Sequence, residues 1–157
     1  MVDITEISAM VAAGGVLVGV VYYVLDMRNQ AKLRQTDMVM RLYDKFGSPE
    51  FQKWLQYAVN LNTEDFADYV RKHEEATPMF YSMGAFFEGV GVLVKRKLIS
   101  MDLVDDLFST AIKQCWERMA SVTKEARIRR KSSAIGEWFE YLYNELKKRE
   151  QKLQSKA

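Results

Sequence analysis

Apolar and polar residues follow two different patterns along this chain. From Ile7 to Leu25 it reads ISAMVAAGGVLVGVVYYVL, nineteen residues without a charge and apolar all round a helix. At ~1.5 Å per residue such a helix spans about 28 Å, close to the ~30 Å hydrocarbon core of a bilayer. The run contains no proline, so its backbone can satisfy its hydrogen bonds internally, as lipid requires. Tyr22 and Tyr23 stand at its far end, where amphipathic rings suit the headgroup layer. The pattern predicts a transmembrane anchor over residues 1–25.

Beyond Leu25 the apolar residues fall into stripes of helical period separated by capping signals. Asp26 to Phe46 contains neither Pro nor Gly and reads as the anchor helix continuing, with Gly47 as its stop. Ser48-Pro49-Glu50 supplies a cap, a proline at the first helical position and an acid in the first turn. The helix it starts carries Phe51, Trp54, Leu55, Ala58 and Val59 on one face. Asn62-Thr63-Glu64-Asp65 opens a short acidic segment running to about Glu75. Thr77-Pro78 repeats the cap-plus-proline signal ahead of Phe80, Met83, Phe87, Val90 and Val94. Ser100, with Asp102 behind it, starts the clearest amphipathic helix: Val104, Leu107, Phe108, Ala111, Ile112, Cys115, Met119 and Val122. Ser132-Ser133 is the expected cap of a last helix, with Ile135, Trp138, Phe139, Leu142 and Leu146 facing inward. Helices that each carry one apolar face must bury those faces against one another. The expected fold is all-α, one N-terminal transmembrane helix continuing into a small cytoplasmic helical bundle. Its expected parts are the anchor at 1–25, a juxtamembrane helix at 26–47, the bundle at 48–146 and a charged C-terminal tail at 147–157.

Charge decides the expected orientation. No Lys or Arg precedes Arg28, whereas Arg28, Lys32 and Arg34 follow the apolar run directly. The positive-inside rule then puts the N-terminus outside and the C-terminal domain in the cytoplasm, at the cell membrane. A cleaved signal peptide is the competing reading, but such peptides start with a basic segment and end in small residues. This chain starts with Asp3 and Glu6 and leaves the run through Tyr-Tyr-Val-Leu-Asp. Gly15 and Gly19 form a G-x-x-x-G pair, a spacing that lets two membrane helices approach closely.

Composition removes several chemistries. A single cysteine among 157 residues excludes a disulfide framework and a multi-thiolate zinc site. The one histidine, His73, leaves H-E-x-x-H and paired Glu-x-x-His motifs without their second member. It lies in a run of charges and reads as a surface residue. Cys115 falls on an apolar stripe and reads as a small hydrophobe. Gly84, Gly89 and Gly91 lie within a helical pattern rather than a phosphate-binding turn, which predicts close helix packing. No cofactor and no catalytic residue is expected.

Two features remain. Glu88 sits in the apolar stretch Phe86-Phe87-Glu88-Gly89-Val90-Gly91-Val92, and a partly buried carboxylate needs a partner. Arg118, Arg127, Arg129 and Arg130 are candidates, and the expected arrangement is a buried Glu88–Arg127 ion pair. The second feature is a basic cluster, Lys124, Arg127, Arg129, Arg130 and Lys131. From Thr123 onward ten Lys and Arg stand against five Glu, a net +5. Beside an anionic leaflet, Arg127, Arg129, Arg130 and Lys131 would contact lipid or a partner, at ~1 kcal/mol each. Interleaved glutamates and the lack of a recognised motif argue against nucleic acid.

The segments Phe86-Phe87-Glu88-Gly89-Val90-Gly91-Val92-Leu93-Val94, Leu98-Ile99 and Leu103-Val104-Asp105-Asp106-Leu107-Phe108 also carry a family likeness. With Ile112, Trp116 and Trp138-Phe139-Glu140-Tyr141-Leu142 they span about Met83–Leu146. This stretch resembles a family of uncharacterised prokaryotic proteins catalogued as a domain of unknown function. Its members often carry one N-terminal membrane helix before a small helical domain. Gly89 is an extra glycine relative to that pattern. The resemblance implies an anchored helical protein and no activity. The expected function is therefore a membrane-anchored helical interaction protein, an accessory or scaffold subunit of a membrane protein assembly and not an enzyme. Its expected partners are membrane lipids and other membrane subunits or further copies of itself. The alternative is a small-molecule sensor or enzyme, which requires an aromatic-lined pocket converging on Glu88 with at least two other polar groups.

Overall fold

The computed structural model describes residues 3–60, 68, 71–72 and 77–155, and every regular element among them is a helix. These are α1 (Ile4–Gly47), α2 (Pro49–Asn60), α3 (Thr77–Lys95), α4 (Met101–Arg130) and α5 (Glu137–Gln154). The expected all-α architecture is the one observed, a long apolar N-terminal helix ahead of a helical bundle. His73 and most of the acidic segment expected from Asn62 to Glu75 lie outside the described residues.

Two compact units divide the chain after Met38. The first comprises the apolar part of α1. Among the described residues α1 alone is long and apolar enough to cross a membrane, and none of its most apolar window is buried. Val16, Leu17, Val18, Val20 and Val21 all stand more than half exposed.

The second unit starts at Val39, which is itself buried. It includes the end of α1, where Phe46 meets Phe51 and Phe108 at centroid distances of 5.5 and 5.1 Å. Two helix starts follow the sequence signals. Ser48 Oγ accepts from the Phe51 amide at 3.3 Å, and Ser100 Oγ from the Leu103 amide at 3.3 Å. Within α3 the whole expected stripe of Phe80, Met83, Phe87, Val90 and Val94 is buried. Val104, Phe108, Ala111, Ile112, Cys115 and Met119 of α4 are buried with it, joined by Trp116. Phe139, Leu142 and Leu146 complete the core from α5. Fully burying a side chain such as Phe87, Phe108 or Phe139 contributes ~1.5–3 kcal/mol, and this shared core holds the unit together.

Close contact between α3 and α5 depends on Gly91. A methyl group there would overlap the Trp138 backbone and lie 2.8 Å from Trp138 Cβ. The expected packing role is therefore met at Gly91. At Gly84 a methyl would make ordinary contact with Met119 Cε at 3.6 Å, and at Gly89 it would meet nothing within 4 Å.

Two boundaries differ from expectation. Ser132-Ser133 does not cap the last helix. Lys131 adopts a left-handed conformation (φ 49°) and the Ser132 amide bonds back to the Arg127 carbonyl at 3.1 Å, closing α4. Residues 133–136 then turn, and α5 starts at Glu137. The charged segment expected as a tail from Lys147 is helical to Gln154. Arg149 reaches Asp102 at 2.7 Å, and Glu150 lies 3.4 Å from Lys113. Ion pairs with α4 thus take over along α5 where the apolar stripe stops.

Candidate functional site

Polar side chains within the bundle gather around the start of α5. Gly136, in a left-handed conformation (φ 69°), is its N-cap and offers no side chain to the first-turn amides. Helix starts leave such amides without intrahelical acceptors. Glu88 of α3 supplies the missing acceptor: its Oε2 receives the Phe139 amide at 2.9 Å. A carboxylate suits that position, because the positive end of the helix dipole favours negative charge.

The expected Glu88–Arg127 ion pair is not formed. Arg127 instead donates from Nη1 to Glu140 at 2.7 Å and from Nε to the Ile135 carbonyl at 2.7 Å. Glu140 lies one turn into α5, nearer the end of α4 than Glu88 is, and so it takes the guanidinium. Arg127 is half-buried and clamps the α4–α5 connection, which removes it from the expected lipid- or partner-facing cluster. Arg129, Arg130 and Lys131 are exposed. Arg130 donates to the Tyr81 hydroxyl at 3.1 Å, with its guanidinium over the same ring at 5.8 Å.

Beside Glu88 a cleft of about 410 Å³ opens between α3, α4 and the α4–α5 connection. Thr77, Phe80, Tyr81, Gly84, Ala85 and Glu88 line it from α3, residues spaced as one helical face. Met119, Val122, Thr123, Ala126 and Arg129 do the same from α4, while Ala134, Ile135, Gly136 and Phe139 close the end. Gly84, Ala85, Ala126 and Ala134 are too small to fill the space between the helices. The wall is aromatic and aliphatic, and Glu88, Thr77, Tyr81, Thr123 and Arg129 are its polar members. Such a mixture of apolar walls and a few polar groups characterises small-molecule pockets of this size.

The other candidate residues lie apart from the cleft. Cys115 is buried, and burial pushes its thiol up to about 12 from an ordinary 9.0. Burial on the apolar stripe suits a packing role. Gly15 and Gly19 belong to the first unit, where a methyl at either would meet nothing within 4 Å. Among the described residues no three His, Cys, Asp or Glu side chains gather as metal ligands would. Sequence reasoning singled out Glu88 but missed Phe139 as its partner and Thr77 and Thr123 as lining of the same cleft. No signal within a single segment points to them, because the small residues that open the cleft lie on different elements.

Comparison with curated proteins gives no match, and neither does comparison with solved structures. Family comparison gives one across residues 9–146, which includes the apolar part of α1 and extends well upstream of the Met83–Leu146 likeness read from the sequence. With most of its length matched, the chain belongs to the family described as domain of unknown function DUF4760.

Proposed function

We propose that this is a membrane-anchored helical interaction protein, an accessory or scaffold subunit of a membrane assembly. The observation that carries this reading is the stretch Ile7–Leu25, whose large apolar side chains are exposed along their whole length. In water that surface would be an aggregation site, whereas in lipid it is the solvent-matched one. Arg28, Lys32 and Arg34 follow the span and no Lys or Arg precedes it, which supports an N-terminus outside and a cytoplasmic bundle. The likeness to prokaryotic anchored proteins supports a prokaryotic cell membrane as the setting. The bare face around Gly15 and Gly19 leaves room for a helix of another subunit or a second copy. Exposed Arg129, Arg130 and Lys131 are suited to anionic lipid or an acidic partner surface.

Protease protection and native-membrane crosslinking test the proposal together. The protein should stay with membranes through alkaline extraction, and protease should digest the bundle in inverted vesicles but not in sealed right-side-out ones. Crosslinking through the span should trap a defined adduct that Gly15→Ile with Gly19→Ile abolishes. A freely soluble protein, or a monomer at every membrane density with no adduct, overturns it.

A second reading is favoured by one observation, the cleft beside Glu88. In support of a small-molecule sensor or enzyme, the cleft has aromatic residues, the Glu88 carboxylate and further polar side chains along its lining. In this reading the bundle binds a small molecule and reports on it through the position of α5, whose first turn Glu88 caps.

A further inference from the structure

We infer that the cleft binds a small primary amine with an apolar body, its ammonium group received by Glu88. The inference rests on the second reading above and assigns the ligand class to that site. The Phe139 amide bonds to Oε2, and among the described residues it is the single hydrogen-bond partner that Glu88 has. No fully buried side-chain oxygen or nitrogen there lacks a partner, so Oε1 keeps some exposure, and Glu88 is part of the cleft wall. A carboxylate oxygen only accepts, so the group it meets in a ligand must be a donor. A charge-assisted donor is stronger than a neutral one, which favours an ammonium over a hydroxyl.

The rest of the wall sets the ligand's body. Phe80, Met119, Val122, Ile135 and Phe139 surround the space with apolar surface, and there is ample room for a single ring with a short chain. An anionic head beside Glu88 would be repelled by its carboxylate. A purely hydrocarbon ligand would strip water from Oε1 and offer no donor in return. Arg129 is exposed where Glu88 is half-buried, so the second charge lies on the solvent side and disfavours a second cationic end on the ligand. The amine is therefore a monoamine.

Methyl-labelled methionine in the full chain, held in zwitterionic lipid nanodiscs, gives the readout. Met119 lines the cleft, and its Cε lies 3.6 Å from the position a Gly84 Cβ would occupy. Phenethylamine should shift the Met119 methyl signal saturably. Phenethyl alcohol should bind at least about fivefold more weakly, and phenylpropionate should leave the signal unmoved. Glu88→Gln should weaken the amine at least about tenfold and the alcohol by less, since only the amine also loses its counter-charge. Equal binding of amine and alcohol, insensitive to Glu88→Gln, would overturn the amine assignment while leaving the cleft a binding site. No saturable Met119 shift with any of these probes would overturn the site itself. Should the variant fail to fold, the order of the probes on the native chain decides alone.

Discussion

Gly89 and Gly91 are two residues apart on α3, yet their surroundings predict opposite responses to the same substitution. Gly91 is buried with its Cα against the Trp138 backbone, and an added methyl would overlap main-chain atoms that cannot swing aside. Gly91→Ala should therefore destabilise the bundle by about 1–3 kcal/mol through forced separation of α3 and α5. Gly89 is exposed in mid-helix with nothing within 4 Å of a methyl. Gly89→Ala should stabilise by about 0.5–1 kcal/mol, the helix-propensity difference. Denaturant unfolding of the two variants checks both signs, and equal shifts would show that α3 and α5 do not meet at Gly91. Cys115 gives a pH-dependent counterpart. Its native thiol is pushed up to about 12 while the unfolded chain titrates near 9.0. A group raised on folding contributes fully below the unfolded value and loses that contribution as pH rises toward the folded one. Stability should then fall by about 1 kcal/mol from pH 8 to pH 10 through this group. Other groups, including Tyr143, titrate at high pH as well. The relevant quantity is therefore the pH slope of the native chain minus that of Cys115→Ala, which should vanish if the thiol is freely ionisable.

At the scale of the helix, capping of α5 by a residue of α3 joins elements that are 51 positions apart. Glu88→Ala should cost about 1–2 kcal/mol, because the Phe139 amide loses its acceptor in a partly buried place. Glu88→Gln keeps an oxygen there and should cost less than about 1 kcal/mol, the part owed to charge at a helix start. Hydrogen exchange at Phe139 separates these cases: fast in the alanine variant, near native in the glutamine variant. This contact also marks where the sequence stopped being legible. The stripe Phe80, Met83, Phe87, Val90 and Val94 could be read directly, because helical period is a property of one segment. The caps at Ser48 and Ser100 could be read for the same reason, since each bonds an amide three residues on. Glu88 could be recognised as an acid in need of a partner, but not which partner. That depended on α5 starting at Glu137 instead of just after Ser133, and the start was displaced by the left-handed Lys131. Likewise the segment beyond Leu146 lost its apolar period and read as a tail. Arg149 and Glu150 find oppositely charged partners on α4 there, and such pairing leaves no periodic trace. The cleft was invisible because it is an absence of volume shared by Gly84, Ala85 and Ala126, residues on two different helices.

For the molecule as a whole, the decisive balance is that of Ile7–Leu25 between water and lipid. Nine Leu, Ile and Val residues in the stretch each favour insertion by roughly 0.3–0.6 kcal/mol at the helix centre, about 3–5 kcal/mol together. Three glycines and three alanines add little, so the margin is modest for a membrane span. One arginine at the centre costs about 2.5–3.5 kcal/mol, so a pair would exceed the whole favourable sum. Leu17→Arg with Val18→Arg should therefore move the chain from the membrane pellet to the soluble fraction. Leu17→Ala with Val18→Ala, which removes side-chain volume without adding charge, should leave it in the pellet. Both sites belong to the unit that ends at Met38, whereas the buried core belongs to the unit that starts at Val39. The bundle of the released double-arginine protein should thus unfold with unchanged cooperativity by tryptophan fluorescence, which Trp116 in the core reports. Retention of the double-arginine chain in alkaline-washed membranes would place the anchoring elsewhere, on the basic surface around Arg129, Arg130 and Lys131. High salt would then strip it from the membrane, as it cannot strip a spanning helix.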